Sequence, residues 1–147
     1  MRLDEAEVLI IEPLVGFGPI KLDMGRMDVH ATLGPSDFTH GNREGFLSGL
    51  MVDFNSDGRV EFIEIAKSRK YVAFLNGIDV HSLPASKLIE HLSRQSAYDR
   101  DDPELGYSYI FKDMQLSLWR SVMPESSADP VGRYFEAVGI GVHGYFN

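Results

Sequence analysis

The stretch Asp53–Glu64, DFNSDGRVEFIE, sets oxygen-bearing side chains at Asp53, Asn55 and Asp57, then Gly58, an apolar Val60 and a closing carboxylate at Glu64. That spacing satisfies the loop of a calcium-binding EF-hand, where several oxygens surround the ion and a last carboxylate binds through both of its own. The flanks point elsewhere. An EF-hand loop joins two amphipathic helices, yet Ile65 to Arg69 continue no apolar helical face, and Gly45 and Gly49 each weaken an entering helix by about 1 kcal/mol. The same residues suit a β-hairpin over LMVDFNSDGRVEFIEI, with Asn55, Ser56, Asp57 and Gly58 as its polar turn. The hairpin is the preferred reading, and a calcium-binding module built on Asp53–Glu64 is the alternative.

Other chemistry-bearing residues form no known constellation. The histidines at 30, 40, 81, 91 and 143 include no HExxH pair, so no metal site is expected. Ser48 lacks the glycine of a nucleophile elbow, and Gly16 and Gly18 with Lys21 match neither a dinucleotide fingerprint nor a phosphate loop. Glu61 with Glu64, and Asp101 with Asp102, read as solvated surface acids. The expectation is therefore a chain without catalytic residues or cofactor. An enzyme of unrecognised type, its site assembled from scattered residues, is a further alternative.

One stretch combines charge with large side chains. Asp99, Asp101, Asp102 and Glu104 lie in a polar loop between Tyr98 and Tyr107, and aromatics crowd the C-terminal half, Trp119 among them. Strand alternation sends about half of such aromatics into a core. The rest face outward, where Tyr and Trp beside charged residues make interface hot spots. Tyr98, Asp99, Asp101, Asp102, Glu104, Tyr107 and Trp119 are the candidate partner-binding residues.

The elements that must carry them follow from period and punctuation. Val8–Ile11 reads as a strand, a short helix spans about Arg26–Leu33, and Gly34-Pro35 stops it. The residues from Ser36 to Arg43 read as a loop, and YVAFLNGIDV as a strand after the hairpin. A second helix opens at Ser82 and Pro84, with Ala85, Leu88, Ile89 and Leu92 at helical spacing. YSYIFKDM, LSLWRSV and RYFEAVGIGVHGYF supply the last strands.

The order helix, strand, strand, strand occurs twice, with a period of roughly 57 to 63 residues. Ile20 and Leu22 answer to Ile78 and Val80, Leu33 to Leu92, Phe54 to Phe111, and YVAFLNGI to YFEAVGIG. The expectation is one domain over residues 1–147, of α+β class, with two helices on an antiparallel sheet and repeat halves at 18–78 and 79–147 joined near Gly77 to His81.

The run GPIKLDMGRMDVHATLG resembles the segment G-x-I-x-x-G-M-[ST]-x-x-x-V-x-x-x-L-G of the SmpA/OmlA and β-lactamase-inhibitor-like modules. Asp23 stands where that pattern has glycine, and Gly25 where it has Ser or Thr. The resemblance implies a short helical stretch on one face of a small antiparallel sheet, and a tandem of two such modules is the architecture of the β-lactamase inhibitor proteins. By class, a small acidic α+β protein without catalytic motifs also looks like the immunity proteins that bacteria keep beside polymorphic toxins.

The 147 residues suit one core, and 44% apolar with 24% charged residues is the balance of a folded chain. Acids outnumber bases 22 to 14, a formal charge of -8 that repels phosphate backbones and anionic lipid, so neither nucleic acid nor membrane is an expected partner. A basic toxin or effector domain is. The absence of cysteine excludes disulfides and thiolate chemistry. The acidic start MRLDEAEVLI lacks the basic opening of a signal peptide, from which a cytoplasmic location is expected.

Overall fold

Burial at every second residue makes Leu50–Phe54 and Tyr71–Leu75 strands with one face inward. The structure, a computed structural model, describes residues 7–147. In chain order the elements are β1 (Glu7–Glu12), β2 (Gly16–Phe17), β3 (Ile20–Lys21), α1 (Arg26–Leu33), β4 (Phe38–His40), β5 (Arg43–Phe46) and β6 (Leu50–Phe54). There follow β7 (Val60–Ala66), β8 (Tyr71–Leu75), β9 (Ile78–Asp79), α2 (Ala85–Ser93), β10 (Ser108–Phe111), β11 (Leu116–Trp119) and β12 (Ala137–Gly141).

The class is α+β and mostly antiparallel, as expected, but the strands form two sheets instead of one. The larger has the order β10-β11-β12-β7-β6-β5-β4, and the smaller β3-β2-β1-β8-β9. In the smaller sheet β1 and β8 run parallel, Glu7 opposite Tyr71 through Ile10 opposite Phe74. The run YVAFLNGI thus lies in the small sheet, whereas the strand from YFEAVGIG pairs with β7 in the large one. Along the chain, hairpin, helix and meander occur as β2–β3, α1, β4–β7 and then β8–β9, α2, β10–β12.

Two local expectations are corrected. The segment read as a loop from Ser36 to Arg43 contains β4, an exposed edge strand that carries no apolar period because its pairing with β5 defines it. YVAFLNGIDV is two strands, since Asn76 and Gly77 both take positive φ, 52° and 77°, and reverse the chain. β2, β3 and β5 carry no strand signal of their own, and RYFEAVGIGVHGYF is a strand only over Ala137–Gly141, whereas both helices and the β6–β7 hairpin lie where expected. α1 covers Arg26–Leu33, with Gly34 at φ 86° donating its N–H to the His30 carbonyl. Asp23, in the position of the patterned glycine, has a φ of 69°.

α2 buries Ala85, Leu88 and Leu92. α1 buries only Val29, and ion pairing supplements that contact: Arg26 and His30, one turn apart, both reach the buried carboxylate of Glu44 on β5, at 2.8 and 2.7 Å. One apolar cluster joins both sheets and both helices, from Leu9, Phe17 and Leu75 through Val29 and Leu88 to Ile63, Leu118 and Ile140. The outer face of the large sheet is covered at its centre by the C-terminal segment. There Tyr145 stacks on Phe62 at 4.7 Å, and Gln115 bonds both the N–H and the carbonyl of Phe146.

His81 ties the sheets together. It is buried, and its Nε2 lies 3.2 Å from the Ile65 carbonyl of β7, to which the ring N–H donates. Burial holds the imidazole below its ordinary pKa, with the Ile65 bond and Asp79 opposing and Lys67 assisting. The unfolded chain therefore takes up this proton first. His81 contributes stability that is complete above the unfolded value of about 6.5 and is lost as pH falls through the lower folded value. Urea unfolding of the wild type and His81→Gln across pH 7.5 to 5 should show the wild type losing more; parallel curves would sink this assignment.

Candidate protein-binding surface

The acidic loop is built by its own carboxylates. Asp99 Oδ1 accepts the Asp101 N–H at 2.9 Å, and Asp102 Oδ1 accepts the Glu104 N–H at 2.9 Å, two Asx-turns in succession. Asp102 Oδ2 accepts the Ser108 hydroxyl at 2.7 Å, and the Asp99 N–H bonds the Ile110 carbonyl, so the loop lies along the free edge of β10. Asp99 also stands 3.4 Å from Lys112. Asp101 and Glu104 are exposed, and among the described residues their carboxylates have no partner. The four acids are thus held together, two as braces and two free toward solvent.

The aromatic candidates divide. Tyr98 is half-buried against Tyr109 and Phe111, with Arg100 4.6 Å above its ring. Tyr107 and Trp119 are open, 40% and 42% exposed. Ser108 is the cross-strand partner of Trp119, and the Arg120 N–H bonds the Tyr107 carbonyl, so the two aromatics stand at the same end of the β10–β11 pair.

Sequence reasoning missed what surrounds them. Leu105, Val122 and Met123 are also exposed, and the Met123 side chain lies directly over Gly106, where a β-carbon would displace it. Arg120 fixes this arrangement. Its buried guanidinium donates from Nε to the Gly106 carbonyl at 2.8 Å and from Nη1 to the Gly132 carbonyl at 3.0 Å, and it lies 5.5 Å from the Phe135 ring. The acidic loop is thereby clasped to the segment after β11. Ser121, bonded through N–H and hydroxyl to Glu136, secures that segment further and holds the Glu136 carboxyl below its usual range. A buried arginine after an apolar strand has no sequence signature, whereas Asp-x-Asp spacing does announce Asx-turns.

The calcium-like stretch forms the β6–β7 hairpin. Its turn is closed by the Gly58 N–H to the Asn55 carbonyl, and Asn55 Oδ1 accepts the N–H groups of Asp57 and Arg59. Only Gly58 has a positive φ, 75°, so the turn is a type I turn followed by a left-handed glycine. Asp53 and Glu64 face Arg43, which bonds both oxygens of Asp53 at 2.7 and 3.0 Å and Glu64 at 3.4 Å. The Asp53 bond pushes the guanidinium further toward its charged form, against the opposing effect of burial. Calcium at a concentration on the order of 1 mM should leave the thermal midpoint unchanged. A rise that Asp53→Ala abolishes would overturn this expectation.

The other histidines are dispersed. His30 is bonded to Glu44, His40 and His143 are exposed, and His91 Nε2 is buried without a partner among the described residues. No group of three or more His, Asp or Glu side chains is placed to hold a metal ion among the described residues, and no helix there is long and apolar enough to cross a membrane. Compared with protein-family models, curated proteins and solved structures, the chain matches none.

Proposed function

We propose that this chain is a non-catalytic binding protein of the immunity type, which captures and neutralises a basic bacterial toxin or effector domain. One observation carries the reading. A pre-shaped acidic loop adjoins exposed Leu105, Tyr107, Val122 and Met123, with Trp119 on the neighbouring strand. Acids of one sign accelerate encounter with a cationic partner, while large side chains that lose water on contact retain it. The braced loop adds to this by reducing the entropy lost on binding. The net charge of -8 favours the same kind of partner.

The test is co-expression with whichever toxin or effector domain proves to be encoded beside its gene. Growth should be restored and a stable complex recovered on size exclusion. Cells that die as fast with the chain as without it, and two proteins that elute separately, would refute the reading.

A further inference from the structure

Arg120 also lines a cavity of about 490 Å3 between the start of α2 and the segment after β11. Its charge is opposite to that of the protein as a whole. Lys87, Arg120 and Arg133 line it, with the hydroxyl-bearing Ser86, Ser126 and Ser127. The one carboxylate on its wall, Asp129, is turned to backbone, accepting the N–H groups of Glu125 at 3.0 Å and Val131 at 2.9 Å. It neutralises none of the three cations within ion-pairing distance among the described residues.

Arg120 gives this cavity its meaning. It is only 8% exposed, and among the described residues no carboxylate pairs with it. Its Nε and Nη1 are spent on carbonyls, leaving Nη2 without a protein partner among the described residues. A buried charge without a counter-ion is costly, and an anion in the adjoining cavity would lower that cost. Arg133 likewise has no ion pair among the described residues, and Lys87 has only an exposed contact with Glu90 at 3.9 Å, which contributes little. The three serine hydroxyls make no hydrogen bond within the described residues. Guanidinium, ammonium and hydroxyl donors together match a tetrahedral oxyanion, which presents acceptors on every side.

We propose that this cavity binds a phosphate-bearing small molecule. Arg133 and Lys87 supply the mobile charge, Arg120 the fixed one, and the serines the neutral donors. The volume exceeds that of a lone phosphate and lies within the range of small-ligand sites, so the phosphoryl group is one end of a larger molecule. The cavity shares none of its lining residues with the proposed partner surface, so this proposal does not rest on that reading.

The test titrates the 15N-labelled protein with inorganic phosphate, with pyrophosphate, and with citrate, each against sodium chloride of equal ionic strength. Saturable shifts of the Ser86, Lys87, Ser126 and Ser127 amides are expected with the two phosphates, tighter for pyrophosphate. Lys87→Gln with Arg133→Gln should weaken them by about tenfold or more while leaving the urea midpoint unchanged. If the double variant unfolds, Lys87→Gln alone, on an exposed side chain, must still weaken them. Shifts that merely follow ionic strength, that survive the substitutions, or that citrate produces as strongly as pyrophosphate would overturn the proposal.

Discussion

Replacing Arg120 with alanine is expected to lower the unfolding free energy by about 3 kcal/mol, read as a drop in urea midpoint at unchanged slope. The substitution removes two charge-assisted hydrogen bonds, to Gly106 and Gly132, and the packing against Phe135. Each such bond contributes about 1.5–3 kcal/mol, and relief of the buried guanidinium offsets part of the sum. Lysine should recover less than half, because a single ammonium on a flexible stem cannot reproduce the fixed fork that spans two carbonyls. The amides of the 99–107 and 121–134 loops should broaden first, since those are the segments the clasp joins. A loss below about 1 kcal/mol, with both loops unchanged, would mean that Arg120 is not what holds them.

The second large effect concerns capture of the proposed basic partner and separates two roles. Neutralising Asp99, Asp101, Asp102 and Glu104 to their amides should slow association about tenfold at low salt and flatten its salt dependence. Amides keep one side-chain oxygen, so the bonds that Asp99 and Asp102 accept from the Asp101 and Glu104 N–H groups should persist. Truncating Trp119 or Tyr107 to alanine should instead hasten dissociation, at a cost of about 2 kcal/mol, or roughly thirtyfold. Both sets follow from stopped-flow and surface-binding kinetics. If both bind the partner like the wild type, the interface lies elsewhere, and the Asn55 to Arg59 hairpin tip is the next surface to examine.

How much was legible depended on whether the cause was local. α1 was readable because Gly34 and Pro35 end a helix by their own backbone limits. The β6–β7 turn was readable because Asn55 and Gly58 carry its hydrogen bonds and its φ. β4 was not, since Phe38–His40 is exposed throughout and becomes a strand only beside β5. The parallel pairing of β1 with β8 leaves no mark on either run, because register between distant strands is set by the assembled core. In the candidate surface the letters identified the acids and the open aromatics. They could not reveal that Tyr98 packs inward, nor that an arginine joins the two loops, because burial of a charge depends on carbonyls contributed from elsewhere in the chain.

The placement of β1 beside β8 and of β7 beside β12 has a topological consequence. Both pairings join residues before the short 67–70 link to residues after it. A molecule whose link straightens can therefore offer its β8–β12 part to the β1–β7 part of a second copy, and receive the reciprocal part in return. The exchanged pair would contain the same strand hydrogen bonds as two separate molecules, so the balance between them is governed by concentration and by the strain of the link. In this sense the fold is two parts on one tether, and the four residues 67–70 are where any exchange between copies would have to hinge.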